Sequence, residues 1–525
     1  MPKVKQQFGQ YMTPKIIVDF MVDLIEHDKK SKVLEPSCGE GAFLEGLCEK
    51  GYKNVSAYEV DRKIVNGRKN VIVSSFVSSS VNEKYDVVIG NPPYIRWKNL
   101  EESLKKELNN SPLWNRYCNS LCDYSNIFII KSIEQLNDGG ELIFITPEYW
   151  ITTTHANELR NYMLQNGYVK QIFHFNETPI FDGVNVSLII FQYIKSRRKS
   201  ETVSITKFFS KKKITVEELA NIKNKTSGFS ETFEIPQFKK NSRWLLADMA
   251  SQTDIEKYER ICKRKGLIQD LFENSDCEYE MLGDFCEIGN GMVSGLDKAF
   301  QLPEEIHLNE IESKNIINVV KAKNISQYIN EKNTEYIFIR DKISNELEFS
   351  KKFPIFFNQL NKYKSLLEKR YDYGRDMKYW EWAFLRNYNL FVQSKEKIFV
   401  PCKERITKKD RFRFSYSSNY QFPTQDVTAI CKKKTTKESI FYILALLNSH
   451  YVFNWLKYKG IRKGDIVEFS EKPISIIPYR VIDFSNRKEK EIHDKIVFFV
   501  QEYMKSQNSI YLQEIDCCLD RLMER

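Results

Sequence analysis

Histidine is scarce in this chain, six residues among 525, and its eleven cysteines do not make up for the shortage of metal ligands. Cys118-x3-Cys122 and the adjacent Cys517-Cys518 have neither a second pair nor histidines at ligand spacing, so no zinc site is expected. Cysteines lying inside segments that read as helices and strands look reduced rather than bridged, as in a reducing compartment. No apolar stretch reaches the length of a membrane span, and no charged-then-apolar leader opens the chain. A soluble, cytoplasmic protein is expected, and there is no internal repeat. What is present is a hydrophobic content of 42%, enough for real cores, in a chain long enough for two or three domains. The net charge of +10 is mild for this size, but it is unevenly spread.

The first 195 residues alternate strand and helix. Strands read near Val33, Ser56, Val88, Leu142, Ile172 and Ile189, with a helix over Asn126 to Leu136 leading through Gly139-Gly140 into Glu141–Pro147. This alternation predicts a mostly parallel sheet with helices on both faces. A polar stretch from Lys195 to Lys213, then a Ser/Thr/Lys-rich region up to Arg243, breaks the pattern. From Met281 the text is short and glycine-punctuated, as in an irregular α+β domain, and after about residue 486 it reads as closing helices. The expected domains are 1–240, 241–485 and 486–525.

Three short segments of the first domain carry chemistry. Lys32 to Leu44 reads as strand, glycine-bearing turn and helix, with Gly39 and Gly41 letting the backbone approach a ligand. The third glycine of the dinucleotide fingerprint is missing, and acidic Glu35 and Glu40 flank the loop. That disfavours a pyrophosphate and suits a ligand with positive charge, such as a sulfonium and an ammonium. Val55 to Asp61 is a second strand with Glu59 near its C-terminal end, where a carboxylate can accept ribose hydroxyls. The most specific segment follows the apolar run Tyr85 to Gly90: Asn91-Pro92-Pro93-Tyr94. The prolines stiffen the turn and leave carbonyls available, Asn91 supplies an amide oxygen, and Tyr94 supplies a flat ring. An amino group on a planar heterocycle needs such acceptors and such a surface.

In this order the segments resemble the γ-class N6-adenine DNA methyltransferases of the TaqI-like type. Gln10-Tyr11-Met12-Thr13-Pro14-Lys15 matches that family's N-terminal cofactor motif, and Phe181 to Ser187 its aromatic residue before the last sheet strand. The resemblance covers about the first 195 residues and, more weakly, the C-terminal part. It implies a Rossmann-like methyltransferase fold with S-adenosylmethionine as cofactor, followed by a target-recognition domain and a helical tail. It implies cofactor contacts at Thr13, Glu35, Pro36, Ser37, Gly39, Glu59, Val60 and Asn91, with Val60 packing on the cofactor adenine. Asn91 and the Pro92 carbonyl would accept from the target amino group, Tyr94 would stack on a base flipped from double-stranded DNA, and Phe181 would pack from another side. One position departs from the pattern. Where the family carries Asp and an aromatic to receive the cofactor's adenine amino group, this chain has Ser75-Phe76, and a neutral hydroxyl bonds roughly half as strongly as a carboxylate.

The second half carries the basic clusters. Lys403, Arg405, Lys408, Lys409, Arg411 and Arg413 are the expected DNA contacts, with Phe412, Phe414 and Tyr416 among them to stack or wedge. A solvated basic face would read the same way. The resemblance also implies a monomer and a separate cognate restriction endonuclease. With the cofactor motif beginning by residue 10, a fused N-terminal nuclease is not expected. Two alternatives stay open from the sequence: an enzyme acting on RNA or a protein glutamine amide, and a non-catalytic DNA-binding subunit with a vestigial cofactor fold.

Overall fold

In the central strands of the N-terminal half, apolar side chains alternate between two cores. Tyr85 and Val88 pack on one face of the sheet and Val87 and Ile89 on the other. The same split separates Leu142 and Phe144 from Ile143 and Ile145. A strand buried on both faces is what a sheet flanked by helices requires. Full burial of each such side chain contributes about 1.5–3 kcal/mol relative to exposure. The computed structural model describes residues 12–524, apart from 66–67, 69, 80–82, 182–185, 199, 264–278, 372–373, 375, 408 and 419. The chain divides into two compact units, Met1–Gln252 and Thr253–Arg525.

The first unit is built on a sheet of nine strands: β1 (Val33–Glu35), β2 (Val55–Glu59), β3 (Val71–Val73), β4 (Tyr85–Gly90), β5 (Leu136–Pro147), β6 (Gly167–His174), β7 (Leu188–Lys195), β8 (Thr202–Phe208) and β9 (Ser230–Pro236). Their order across the sheet is β3-β2-β1-β4-β5-β7-β6-β8-β9. β3, β2, β1, β4 and β5 run parallel, β7 is antiparallel to both its neighbours, and β9 closes the far edge antiparallel to β8. β8 and β9 lie in the stretch expected to interrupt the pattern. Val203 and Ile205 are buried there in one core and Phe208 in the other, separated by polar residues, so the strand offers no continuous apolar run.

The helices are α1 (Lys15–Val22), α2 (Ala42–Glu49), α3 (Glu102–Asn109), α4 (Pro112–Tyr117), α5 (Ser125–Gln135), α6 (Asn157–Asn166) and α7 (Val216–Lys223). The Pro14 carbonyl receives the N–H groups of Ile17 (2.9 Å) and Val18 (3.1 Å) to start α1, whose Ile17, Val18, Phe20 and Met21 are buried. Away from the strand C-termini, the fully buried Glu141 accepts from the Glu26 N–H (2.9 Å), the His27 N–H (3.2 Å) and Gln192 Nε2 (2.6 Å). That carboxylate fastens the chain after α1 to the middle of the sheet.

Among its described residues the second unit holds three small sheets. Its β10 (Cys286–Asn290), β13 (Glu396–Pro401), β15 (Ser415–Ser418) and β17 (Val427–Lys432) pair antiparallel in the order β10-β17-β13-β15. β11 (Ile316–Val320), β12 (Thr334–Ile337) and β16 (Gln421–Pro423) form a second sheet, and β14 (Lys403–Arg405), β18 (Arg462–Lys463) and β19 (Ile466–Glu468) a third. The helices Arg487–Ser506 and Ile510–Met523, expected as a segment of their own, contribute Ile496, Val500, Ile515 and Leu519 to this unit's core. No helix among the described residues is long and apolar enough to cross a membrane.

Candidate active site

Parallel strands bring their C-terminal ends to one edge of a sheet, and the chain that leaves them there meets in space. β1 leaves at Glu35, β2 at Glu59, β3 at Val73, β4 at Gly90 and β5 at Pro147. After β1, Gly39 (φ +52°) and Gly41 (φ +87°) take left-handed conformations that glycine adopts without strain, and α2 begins at once. The buried Glu59 carboxylate accepts the Gly39 N–H (2.8 Å) and the Asp61 N–H (2.9 Å), so the acid at the end of β2 shapes the glycine loop. The Cys38 N–H donates to the Tyr58 carbonyl (2.9 Å) and pins the same turn. Val60, beside Glu59, is 47% exposed, an apolar surface at the strand end.

Asn91 follows Gly90 at the end of β4. Its Nδ2 donates to Thr13 Oγ1 (3.1 Å), and its carbonyl accepts the Ser37 hydroxyl (3.3 Å). Tyr94 points its hydroxyl at Asn91 Oδ1 and at the Ile145 carbonyl (2.6 Å), and its half-buried ring packs against the core that contains Phe181. The structure therefore gathers Thr13, Ser37, Asn91 and Tyr94 into one hydrogen-bonded group. Gln10 and Tyr11 of the N-terminal motif, and residues 182–185 beside Phe181, lie outside the described residues. Phe181 itself is buried.

Glu35 is 1% exposed, and its Oε2 has no hydrogen-bond partner within the protein. Burial, with the Glu59 charge adding to it, pushes the Glu35 carboxyl well above the usual carboxylate range. A Cβ added at Gly90 would sit 3.7 Å from Glu35 Cγ and 3.6 Å from Pro36 Cδ, so both pack against the strand end that carries Asn91. An unsatisfied acid, a glycine loop with open space beside Gly39, and an exposed Val60 fit a cationic nucleoside ligand.

Two residues depart from their expected settings. The Phe76 ring is buried against Tyr58 (centroids 5.6 Å apart) and Phe128 (5.5 Å), so the ring is part of the core. Ser75 donates its hydroxyl to Glu107 on α3, a contact across 32 residues that no periodicity announces. Sequence reasoning also missed Asp123, which is buried and accepts from Tyr149 Oη (2.8 Å), the Ser125 N–H (3.1 Å) and Ser125 Oγ (3.0 Å). With the Tyr124 N–H bonded to the Ile95 carbonyl (2.9 Å), it braces the chain just after Tyr94. An Asp two residues before a Ser at a helix start was the available signal.

The basic segment of the second unit differs from expectation more sharply. Arg411 makes a two-pronged pair with Asp516 (2.8 and 2.7 Å), and Arg413 bonds the buried Glu404 (2.8 Å) and the Ile325 carbonyl (3.0 Å). Lys409 also pairs with Glu404. Phe412 and Phe414, expected to wedge or stack, are fully buried, and Asn448 clasps both backbone groups of Phe414 (3.1 and 2.8 Å). Alternation along the chain sends the aromatics into the core and lays the cations over it, where acids meet them. Lys403 and Arg405 are exposed on β14, with Arg405 3.9 Å from Asp465. Lys408 lies outside the described residues.

Residues 31–181 match the Eco57I restriction-modification methylase family. Over 99% of its length the chain is 46% identical to the type II methyltransferase M.HindII of Haemophilus influenzae, covering 98% of that protein. The chain belongs to the type II methyltransferases. M.HincII, also of Haemophilus influenzae, is 44% identical over the same shares of the two chains. The type IIL restriction-modification enzyme MmeI, solved in complex with DNA, matches 97% of this chain and 72% of its own with a TM-score of 0.59. At 13% identity that likeness speaks for the fold alone. The methyltransferase is thus a DNA-modifying enzyme of the restriction-modification type, and its cofactor is S-adenosylmethionine.

Proposed function

We propose that this methyltransferase modifies the N6 amino group of an adenine flipped out of double-stranded DNA, as the protective partner of a separate restriction endonuclease. The observation that carries the reading is Asn91-Pro92-Pro93-Tyr94 at the end of β4, with the Asn91 amide held between Thr13 and Tyr94 beside the glycine loop. The donor's sulfonium supplies an electrophilic methyl group when bound. The protein's task is to hold the two reactants in line and to make a conjugated amino group nucleophilic. Asn91 Oδ1 and the Pro92 carbonyl accept the two amino hydrogens, which localises the lone pair on nitrogen. The N–C bond forms as the S–C bond breaks, and the nitrogen then sheds one proton to water. Asn91 Oδ1 must exchange its Tyr94 contact for the base, while Tyr94 keeps the Ile145 carbonyl as its acceptor.

Thr13, Glu35, Pro36, Ser37, Gly39, Glu59 and Val60 form the cofactor side, and Tyr94 and Phe181 the side facing the extruded base. Flipping costs a few kcal/mol, which the aromatic surface and the two acceptors offset. The enzyme is expected to act as a monomer in the cytoplasm. Incubating it with methyl-labelled S-adenosylmethionine and duplex DNA, RNA or protein, then hydrolysing and separating the products, tests the reading. Label in N6-methyladenine supports it. Label in N4-methylcytosine, in RNA or in glutamine, or no transfer at all, overturns it.

A further inference from the structure

The end of β3 holds a pair of side chains that the reading above leaves without a task. β2 and β3 are neighbours in register, Glu59 opposite Val73, and the Ser74 N–H donates to the Glu59 carbonyl (3.0 Å). A nucleoside whose ribose meets the acid at the end of β2 lies outside the strand C-termini, where β3 is the neighbour on the side away from β1. Here the direction away from β1 runs over exposed Val60 to Ser75. Ser75 is half-buried, and its hydroxyl hydrogen is committed to the Glu107 carboxylate, which reaches in from α3.

The surroundings hold this arrangement still. Lys131, buried on α5, donates to the carbonyls of Val77 (2.7 Å) and Ser79 (2.5 Å), tying down the turn that follows Ser75. Burial lowers the Lys131 ammonium to about 8, and the Glu107 charge acts against that fall. Tyr124, whose phenol burial and the same Glu107 charge push upward, shares a hydrogen bond with the Ser75 hydroxyl. A hydroxyl facing a ligand can ordinarily either donate or accept. With its hydrogen fixed on a carboxylate and one lone pair taking the Tyr124 hydroxyl, a single oxygen lone pair remains for a ligand, and the neighbouring charge strengthens whatever it accepts.

We propose that Glu107 is a positioning residue that turns Ser75 into an obligate acceptor for the amino group of the cofactor's adenine. A serine and a glutamate, 32 residues apart, thereby do together what one carboxylate at position 75 would do. The inference rests on the cofactor site proposed above and concerns how that site reads the purine edge. S-adenosylhomocysteine and its inosine analogue separate the two, because the analogue replaces the amino donor by a carbonyl acceptor and turns N1 from an acceptor into an N–H donor, so the effect of Glu107 is read from how each variant changes the ratio of the two affinities.

The test is calorimetric titration of the full chain with both compounds. Wild type is expected to prefer the adenosine form. Glu107→Gln and Ser75→Ala should each cut that preference by on the order of tenfold, while affinity for the inosine analogue stays level or rises. Ser75→Asp placed on Glu107→Gln should restore the preference, a rescue that a purely structural role would not allow. An unchanged preference in Glu107→Gln, or equal weakening of both ligands, overturns the assignment of Glu107 and leaves the cofactor site standing. Failure of wild type to bind S-adenosylhomocysteine overturns the site and this inference together.

Discussion

Two regions of this methyltransferase crowd suggestive residues together, the strand-end loops of the first unit and the basic segment around Lys403–Arg413 of the second. In the first, Thr13 and Asn91 meet although 78 residues separate them, and Ser37 and Tyr94 join them. In the second, Arg411 reaches an aspartate 105 residues away, and Lys409 and Arg413 converge on one buried glutamate. The polar residues of the first region converge on one another at a sheet edge beside an unsatisfied acid. Three of the cations of the second are spent on the unit's own acids. The difference teaches that motif order in a parallel sheet predicts convergence, because the strand ends must gather on one edge, whereas charge density predicts nothing until the acids are placed.

The largest expected effect breaks the first region. Asn91→Ala should lower the methyl-transfer rate by about two to three orders of magnitude, the loss typical of an aimed acceptor or donor at a reacting centre. Its melting temperature should stay near wild type, since the Asn91 side chain bonds the loop side chains Thr13 and Tyr94 and the carbonyl that accepts from Ser37 is kept. Single-turnover kinetics beside thermal melting separate these outcomes, and normal turnover would remove the tetrapeptide from the chemistry.

Glu59→Ala comes next. It strips two backbone N–H groups of a charged acceptor, so the glycine loop should lose about 2 kcal/mol of definition, roughly thirtyfold in cofactor affinity. Titration with S-adenosylmethionine checks this, and an unaltered Kd would remove Glu59 and the loop it braces from the cofactor site.

The contrast between regions sharpens on Arg411 and Lys403. Arg411→Ala should destabilise the protein by about 1–3 kcal/mol, because Asp516 is left partly buried without its partner. It should not change the salt dependence of DNA binding. Lys403→Ala should leave stability alone and, if the exposed edge of β14 meets phosphate, reduce the salt slope by about one unit. The reverse result would return the paired cations to the DNA interface.

The smallest effect is on pH. Glu35 holds its proton above the ordinary carboxylate range because ionising it in place is costly. A cationic ligand favours the ionised form, so binding below that raised value must expel the proton, and affinity should rise with pH until the value is passed. The limit is about tenfold per pH unit. Glu35→Gln should flatten the profile, and a wild-type profile already flat would place the cofactor's charge elsewhere.

The order of the motifs, an N-terminal threonine, a glycine loop between acids, a strand-end glutamate and Asn91-Pro92-Pro93-Tyr94, already determined the fold class and the edge of the sheet where the site had to form. Each motif is local, and a turn after a strand is decided by the residues inside it. β8 and β9 were hidden because their apolar residues alternate with polar ones, a weak signal in a Lys-rich stretch. Only the tertiary structure decided that Glu107 stands behind Ser75, that Asp123 braces the chain after Tyr94, and that Arg411 and Arg413 pair with acids of their own unit. Those contacts join segments with no common period, and which charge meets which is settled by packing. A hydrogen bond across 32 or 105 residues exists only once the hydrophobic cores have set the distances.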